Sequence, residues 1–141
     1  MTELTIEDIK RTEFTLLQQI KKVCENQKID YSIIGGTLLG AVRHHGFIPW
    51  DDDIDIIMPR KSYNQFIEFC AHNDAGFDFV CHELNSTYYK LYGKVSSRET
   101  CLIEENANRG KCTIGVNIDV FPVDGLGETK NGAFKLLKKQ K

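Results

Sequence analysis

The sequence predicts a mixed α/β domain of the α+β kind, built from a short mixed β-sheet with flanking helices. Helical spacing of apolar residues dominates the first thirty positions, and short β-prone runs broken by glycine and proline follow it. The 141 residues are enough for one core, so we expect a single domain over residues 1–141. With 41% hydrophobic and 27% charged residues, fibrous and disordered classes are excluded.

The charge balance, the N-terminus and the cysteines exclude several classes of protein. Eighteen basic and twenty acidic side chains give a formal net charge of −2, which argues against nucleic-acid binding through bulk charge. The charged N-terminus is unlike a signal peptide, and no apolar run reaches the length of a membrane span. Five cysteines without a CxxC motif favour free thiols over a disulfide framework. We therefore expect a cytoplasmic protein.

The first half of the chain alternates helix and strand. Apolar residues recur at helical spacing from Thr5 to about Lys28, and Thr5 and Asp8 are placed as a capping pair. The β-prone run 31–34 then stops at Gly35-Gly36, after which helical spacing resumes. This part predicts a helix, a strand, a glycine turn and a short helix.

The second half adds one helix and several strands. The run 54–57 reads as a strand that ends at Pro59, and a helix follows from about Arg60 to His72. Further strands of a meander are expected near residues 77–82, 88–95, 100–104 and 113–121, and the lysine-rich tail 131–141 suits the start of a helix.

Three aspartates are the candidate catalytic and metal-binding residues. Asp53 and Asp55 are two positions apart, so on a strand they would point to one side and could share a divalent cation. Asp119 lies between β-branched residues on another predicted strand, where a carboxylate needs a partner. We expect Mg²⁺ or Mn²⁺ to be held by Asp53 and Asp55, with Asp119 as third ligand or as general base.

The candidate phosphate-binding residues lie around the glycine turn. Without Cβ atoms, Gly35 and Gly36 let backbone N–H groups approach phosphate oxygens closely, and Thr37 continues the same turn. Arg43 and, on a predicted strand, Lys94 are candidate cations for the same phosphates. A glycine turn and a carboxylate pair within about twenty residues together indicate a nucleotide diphosphate site.

Plainer interpretations of these residues remain open. A Gly-Gly pair alone is usually an ordinary tight turn, and Asp51 and Asp52 fit either a solvated acidic turn or a supporting role beside the metal. A calcium-binding EF-hand is excluded, because Ile56 stands where that loop needs glycine and Ser62 where it needs glutamate.

The two motifs resemble those of the LicD family of phosphocholine transferases, within the nucleotidyltransferase-fold superfamily. The run GGTLLGAVRHHGFIPWDDDIDIIMPR resembles the family signature nearly throughout, and NIDVFPVDG resembles its later acidic strand. In that resemblance Gly35 and Gly36 match the phosphate-binding pair, Asp53 and Asp55 the metal-binding pair, and Asp119 the third carboxylate. Family members usually continue beyond the point where this chain ends.

The resemblance implies a nucleotidyltransferase-like fold and a specific reaction. Phosphocholine, or a related alcohol phosphate, would move from CDP-choline or another CDP-alcohol to a sugar hydroxyl of a glycan precursor, releasing CMP. The acceptor would belong to a cell-surface glycan such as lipopolysaccharide or teichoic acid and could be lipid-linked, with the enzyme in the cytoplasm or at the inner face of the membrane. The alternatives are a nucleotidyltransferase that transfers NMP and an inactive nucleotide-binding or scaffold module.

Overall fold

A computed structural model describes residues 2–103, 114–125 and 128–132 of the chain. Within these residues three helices and five strands follow one another in a mixed order. In chain order they are α1 (Ile6–Gln27), β1 (Ser32–Ile33), α2 (Gly35–His44), β2 (Asp55–Pro59), α3 (Arg60–His72), β3 (Asp78–Val80), β4 (Gly93–Ser96) and β5 (Asn117–Val123). The predicted fold class is confirmed.

Helix α1 begins and ends where its sequence supplies caps. The Thr5 hydroxyl accepts a hydrogen bond from the Asp8 backbone N–H at 3.2 Å, and the Thr5 N–H donates to the Asp8 carboxylate at 3.0 Å. This reciprocal pair is the capping box that the sequence predicts. At the other end Lys28 takes a left-handed conformation and its N–H donates to the Cys24 carbonyl, which terminates the helix.

The sheet joins the two halves of the chain. Its strand order is β1-β2-β5-β4-β3, in which β2 and β5 pair in parallel and every other neighbouring pair is antiparallel. The predicted meander is present in β3, β4 and β5, which follow one another along the chain and across the sheet. The parallel pair at the centre brings the segment around Asp55 next to the segment around Asp119.

One face of the sheet forms the core. Side chains alternate along each strand, so every second residue of the central strands faces helices α1 and α3. The strand residues that are 0% exposed on this face are Ile56, Met58, Val95, Ile118 and Val120. Tyr63 and Phe66 of α3 complete the core from the helix side.

Several predicted strand limits are wrong. Residues 88–92 form a loop in which the Tyr88 carbonyl lies 2.9 Å from His82 Nδ1, so their backbone does not join the sheet before Gly93. Over 100–103 the described backbone makes a single bridge, Leu102 to Ile114, in place of a strand. Most of the tail 131–141 and part of the segment 100–104 lie outside the described residues.

The cysteine expectation also needs correction. Cys24, Cys70 and Cys81 are free thiols, as expected, but Cys101 is disulfide-bonded. Cysteine spacing alone does not show which residues the fold brings together, because a disulfide depends on the distance between the two Cβ atoms. A separate finding is that no helix within the described ranges is long and apolar enough to cross a membrane.

Candidate functional site

Three charged residues form a row across the middle of the sheet. The register pairs Asp55 of β2 with Asp119 of β5, and Asp119 with Lys94 of β4. All three lie on the face opposite the core, and the side chains of Lys94 and Asp119 are only 15% and 23% exposed. Lys94 Nζ donates to the Asp119 carboxylate and, at 2.8 Å, to Asn117 Oδ1. We call Asp55, Asp119 and Lys94 the acid row.

The acid row places two predicted ligands side by side. Asp55 and Asp119 come from distant parts of the sequence, and only the parallel pairing of their strands makes them neighbours. Lys94, predicted to contact phosphate, is instead bound to Asp119 in the middle of the site. Any phosphate that Lys94 contacts must therefore lie next to the carboxylates.

The carboxylates of this site raise one another's pKa. Loss of solvent raises the pKa of Asp55 most, and the nearby charges of Asp119 and Asp53 raise it further. The pKa of Asp53 is raised by desolvation first and then by Asp52 and Asp51, while Lys94 opposes both shifts. The site therefore holds more negative charge than its own lysine balances.

Asp53 is positioned differently from the sequence prediction. Strand β2 begins at Asp55, so Asp53 lies in the preceding loop and strand alternation does not orient its side chain. A carboxylate oxygen of Asp53 lies within 4.8 Å of one oxygen each of Asp51 and Asp52, and among the described residues this group of three potential metal ligands does not include Asp55 or Asp119. Asp51 and Asp52 thus lie beside the predicted ligand rather than apart from it.

The two glycines allow helix α2 to begin against these carboxylates. Gly35 has φ of +58°, which a residue with a side chain adopts only at a cost. A Cβ on Gly36 would lie 2.5 Å from Asp51 Oδ2, closer than atoms can approach. No side chain caps α2 at Ile34, so its first N–H groups remain available to an anion. The glycines form the first turn of the helix itself rather than a separate turn.

Thr37 attaches α2 to the loop that carries Asp51, Asp52 and Asp53, which we call the acidic loop. Its hydroxyl accepts a hydrogen bond from the Asp55 N–H at 2.9 Å and lies 3.4 Å from the Asp53 carbonyl oxygen, to which it donates. Its predicted contact with phosphate remains untested, whereas its contact with the start of β2 is direct. Thr37 therefore positions the two predicted ligands relative to the helix N-terminus.

Arg43 does not join this group. It lies in the last turn of α2, about 12 Å along the helix axis from Gly35 at the usual rise of about 1.5 Å per residue. Its Nε donates to His44 Nδ1 at 3.3 Å. Its predicted role at the phosphate stays a prediction, and no hydrogen bond or ion pair among the described residues joins it to the acid row.

Two buried polar residues of α1 support the acidic loop from behind, and neither was among the predicted site residues. Lys10 is 7% exposed, and its Nζ donates to the Pro49 carbonyl at 2.9 Å. Glu13 is 3% exposed, and the Ile54 backbone N–H interacts favourably with its carboxyl group. The two residues thereby hold both ends of the loop that carries Asp51, Asp52 and Asp53.

Glu13 holds a proton at neutral pH. Burial raises its pKa from the ordinary 4.5 to about 9, and the charges of Asp53, Asp52 and Asp55 contribute to the rise. Its Oε2 has no hydrogen-bond partner among the described residues. One sequence signal could have found it: Glu13 stands three residues before Leu16, on the apolar stripe of α1, where a charged residue is out of place.

The residues of the site fit a hard divalent cation. The donors are carboxylate oxygens, the ligand type that Mg²⁺ and Mn²⁺ prefer. The pKa values of Asp53 and Asp55 are raised first by desolvation and then by the charges of neighbouring carboxylates, which a cation would offset. The free N–H groups of α2 lie beside them and suit phosphate oxygens. Together these features would suit a diphosphate and a divalent cation.

Comparison with known proteins finds a matching family and several similar sequences. Residues 28–135 match the family described as "LicD/FKTN/FKRP, nucleotidyltransferase domain". The whole chain is 30% identical to the lipopolysaccharide cholinephosphotransferase LicD of Haemophilus influenzae, covering 52% of that protein. Uncharacterized proteins of Rickettsia prowazekii and Rickettsia typhi are each 49% identical over 43 residues, which is 30% of this chain and 16% and 14% of theirs. The chain thus spans about half the length of its Haemophilus relative.

Proposed function

Because the chain belongs to the LicD/FKTN/FKRP nucleotidyltransferase-domain family, we propose that it transfers phosphocholine, or a related alcohol phosphate, from a CDP-linked donor to a sugar hydroxyl. CMP is the second product. The acceptor we propose is a cell-surface glycan precursor, since the Haemophilus relative is named for lipopolysaccharide. The cytoplasmic location expected from the sequence is part of the same proposal.

The pairing of Asp55 with Asp119 is the observation that supports this proposal most directly. Parallel pairing of β2 and β5 sets the two carboxylates next to each other, and the uncapped N-terminus of α2 lies against Asp55 and Asp51. A phosphoryl-transfer site needs this combination, because charge must be balanced and the phosphate oxygens must be held in place.

The reaction can be assigned to the residues of the site. The acceptor hydroxyl attacks the phosphorus that carries choline, a new P–O bond to the sugar forms, and the P–O bond to CMP breaks. The N–H groups at Gly35, Gly36 and Thr37 hold the phosphate oxygens. Lys94, at the far end of the acid row, contacts the same oxygens. Asp119 is suited to completing the ligand set or receiving the hydroxyl proton.

Mg²⁺ or Mn²⁺ is the cofactor we propose, held by Asp53, Asp55 and Asp119. When bound, it would neutralise charge on the diphosphate and on the departing CMP. Thr37, Lys10 and Glu13 keep the carboxylates in place through their interactions with the backbone of the acidic loop. Removal of divalent cations should therefore stop transfer without unfolding the protein.

Product analysis tests the proposal. The protein is incubated with Mg²⁺, a glycan acceptor and CDP-choline labelled separately in choline and in cytidine. We expect the choline label on the acceptor and the cytidine label in free CMP, with no transfer after chelation. Asp55→Asn should be inactive, while Asp78→Asn, which alters an exposed carboxylate on the edge strand β3, should keep full activity.

Two results would overturn the proposal. Cytidine label on the acceptor would assign the protein to the nucleotidyltransferases that transfer NMP. Binding of CDP-choline without any product would make it a nucleotide-binding module.

A further inference from the structure

A cavity beside the acid row has no role in the reaction as described so far. It measures about 690 Å³ and lies between the loop 82–92 and the C-terminal half of β5. We call it the tyrosine groove, because Tyr88, Tyr89, Tyr92 and Phe121 supply its aromatic lining. Its volume falls within the range of about 300–1,000 Å³ that is typical of small-molecule sites.

The tyrosine groove starts where the acid row stops. Phe121 follows Asp119 by two positions on β5, so both side chains share one face of the sheet about 7 Å apart. Its ring lies 4.6 Å from the Tyr92 ring, and Lys94 Nζ is 5.7 Å from the centre of the Tyr92 ring. A single ligand can therefore extend from the carboxylates into the groove.

A buried hydroxyl in the groove has no partner. Tyr88 is half-buried, and its hydroxyl makes no hydrogen bond within the described part of the chain. Burial raises the pKa of Tyr88, and the charges of Tyr92 and Asp119 add to the rise. The Tyr88 N–H donates to the Asn85 carbonyl, so the loop holds the side chain in position. A polar ligand would satisfy the hydroxyl.

The cations next to Tyr92 disfavour the choline half of the donor at that ring, while the other charged residues of the lining, Arg60 with Asp124 and Glu83, pair with one another. Lys90 Nζ donates to the Tyr92 hydroxyl at 3.1 Å and lies 5.3 Å from the centre of the same ring, which Lys94 also approaches. These two cations would repel a quaternary ammonium group, although such groups often bind to aromatic rings. They favour a ligand that joins a flat uncharged ring to a phosphate. Tyr89, 85% exposed, offers that ring a free face.

We propose that the tyrosine groove binds the nucleoside half of the cytidine diphosphate donor. The base stacks on Tyr89, the Tyr88 hydroxyl bonds to its polar edge or to the ribose, and the 5′-phosphate points towards Lys94. This inference rests on the proposed function and deepens it, because it assigns the nucleoside to one side of the acid row. The choline end must then lie on another side, away from Lys90.

Calorimetric titration with CMP and with phosphocholine tests the inference without requiring turnover. Against the wild type, Tyr89→Ala should weaken CMP binding about tenfold or more, the loss expected for one base–aromatic stack. Tyr88→Phe removes only the unpartnered hydroxyl and should weaken it about three- to tenfold. Tyr31→Phe, a half-buried tyrosine beside β1, is the matched control and should bind CMP as the wild type does. Phosphocholine binding should be the same in all four proteins.

Three binding results would overturn the inference. CMP binding that is absent in the wild type or unchanged in both groove variants excludes the nucleoside from the groove. Loss of phosphocholine binding in the variants assigns the groove to the alcohol end. Circular dichroism verifies that each variant is folded. If the protein binds CMP through these tyrosines but transfers nothing, only the proposed function is refuted. If both variants keep the wild-type KM for CDP-choline, only the groove assignment is refuted.

Discussion

The two faces of the central sheet are built from the same strands, but one face is apolar and buried while the other carries charged residues. On the face towards α1 and α3, Ile56, Ile118 and Val120 are fully buried and apolar, and their packing stabilises the fold. On the opposite face the intervening residues Asp55 and Asp119 are paired like charges. Alternation along a strand therefore lets one segment supply stability and chemistry at adjacent positions, so a substitution on one face should affect one property and spare the other.

The largest expected effect is on activity, from the charged face. Asp55→Asn removes a proposed metal ligand, and transfer should fall by more than about 100-fold, since loss of partners that only support a ligand already costs about 10- to 100-fold. The melting temperature of the metal-free protein should stay equal or rise, because one of several crowded like charges is gone. Steady-state kinetics and thermal unfolding measure both. A clear drop in melting temperature would contradict the division between the faces.

The next effect is on stability, from the apolar face one position away from Asp119. Ile118→Ala deletes a fully buried side chain and should lower the free energy of unfolding by about 2–5 kcal/mol. Urea unfolding at neutral pH measures this loss. Under conditions in which the variant remains folded, CMP affinity should match the wild type, and a selective loss of affinity would show that the two faces are coupled.

Glu13 is an exception to the division, because it is a carboxyl group on the helix side of the sheet. Its pKa is about 9 in the folded protein and near 4.5 when unfolded, so between these values only the folded protein keeps the proton. Stability should therefore fall as pH rises from about 4.5 to about 9. The raised pKa values of Asp53 and Asp55 act with the same sign at acidic pH. In the Glu13→Gln variant, most of the decrease in stability above pH 5 should disappear.

Unfolding midpoints of the wild type and Glu13→Gln between pH 5 and 9 measure this dependence. Parallel curves for the two proteins would show that Glu13 ionises normally in the folded state.

A smaller effect is expected at the contact between α2 and the acidic loop. Thr37→Val leaves the Asp55 N–H without its acceptor and should cost about 1–3 kcal/mol of stability. Thr37→Ser keeps the hydroxyl and serves as the control. The affinity for Mn²⁺, followed by its paramagnetic signal, should fall in the valine variant and be retained in the serine variant. Equal Mn²⁺ affinity in both would show that the hydroxyl does not position the carboxylates.

The smallest effect should come from the edge of the sheet. Asp78 on β3 forms an exposed ion pair with Arg98 at 2.7 Å, and such pairs contribute at most about 1 kcal/mol. Asp78→Asn should therefore change neither activity nor stability by more than that amount. A loss comparable to that of Asp55→Asn would mean that general acidity, not the position of Asp55, is what the reaction needs.

Local signals in the sequence predicted most of the fold. The bounds of α3 at Arg60 and His72 follow from Pro59 before it and from the spacing of its apolar residues, and α1 follows from the Thr5–Asp8 pair. The β-prone residues of 88–95 predict a strand, of which only the part from Gly93 onward joins the sheet. What decides the conformation of residues 88–92 is the contact between His82 and the Tyr88 carbonyl, which sequence alone does not show.

The sequence predicts the candidate site residues one at a time, but it does not show how they are arranged. The sequence pointed to Asp55, Asp119 and Lys94 separately, but the register that aligns them depends on pairing between distant strands. Arg43 was chosen for its proximity in sequence, and the length of α2 takes it away from the glycines. The metal-binding role of the aspartates remains a prediction that the experiments above can test.

The parallel pairing of β2 with β5 also determines when the site can exist. Asp55 is synthesised well before Asp119, and the connection between them passes through α3, β3 and β4. We expect pairing across so long a connection to form late in folding, because the intervening loop must close before its contacts form. A nascent or partly folded chain therefore carries its carboxylates apart. Affinity for a divalent cation should appear only with the completed sheet, which makes cation binding a reporter of the last stage of folding.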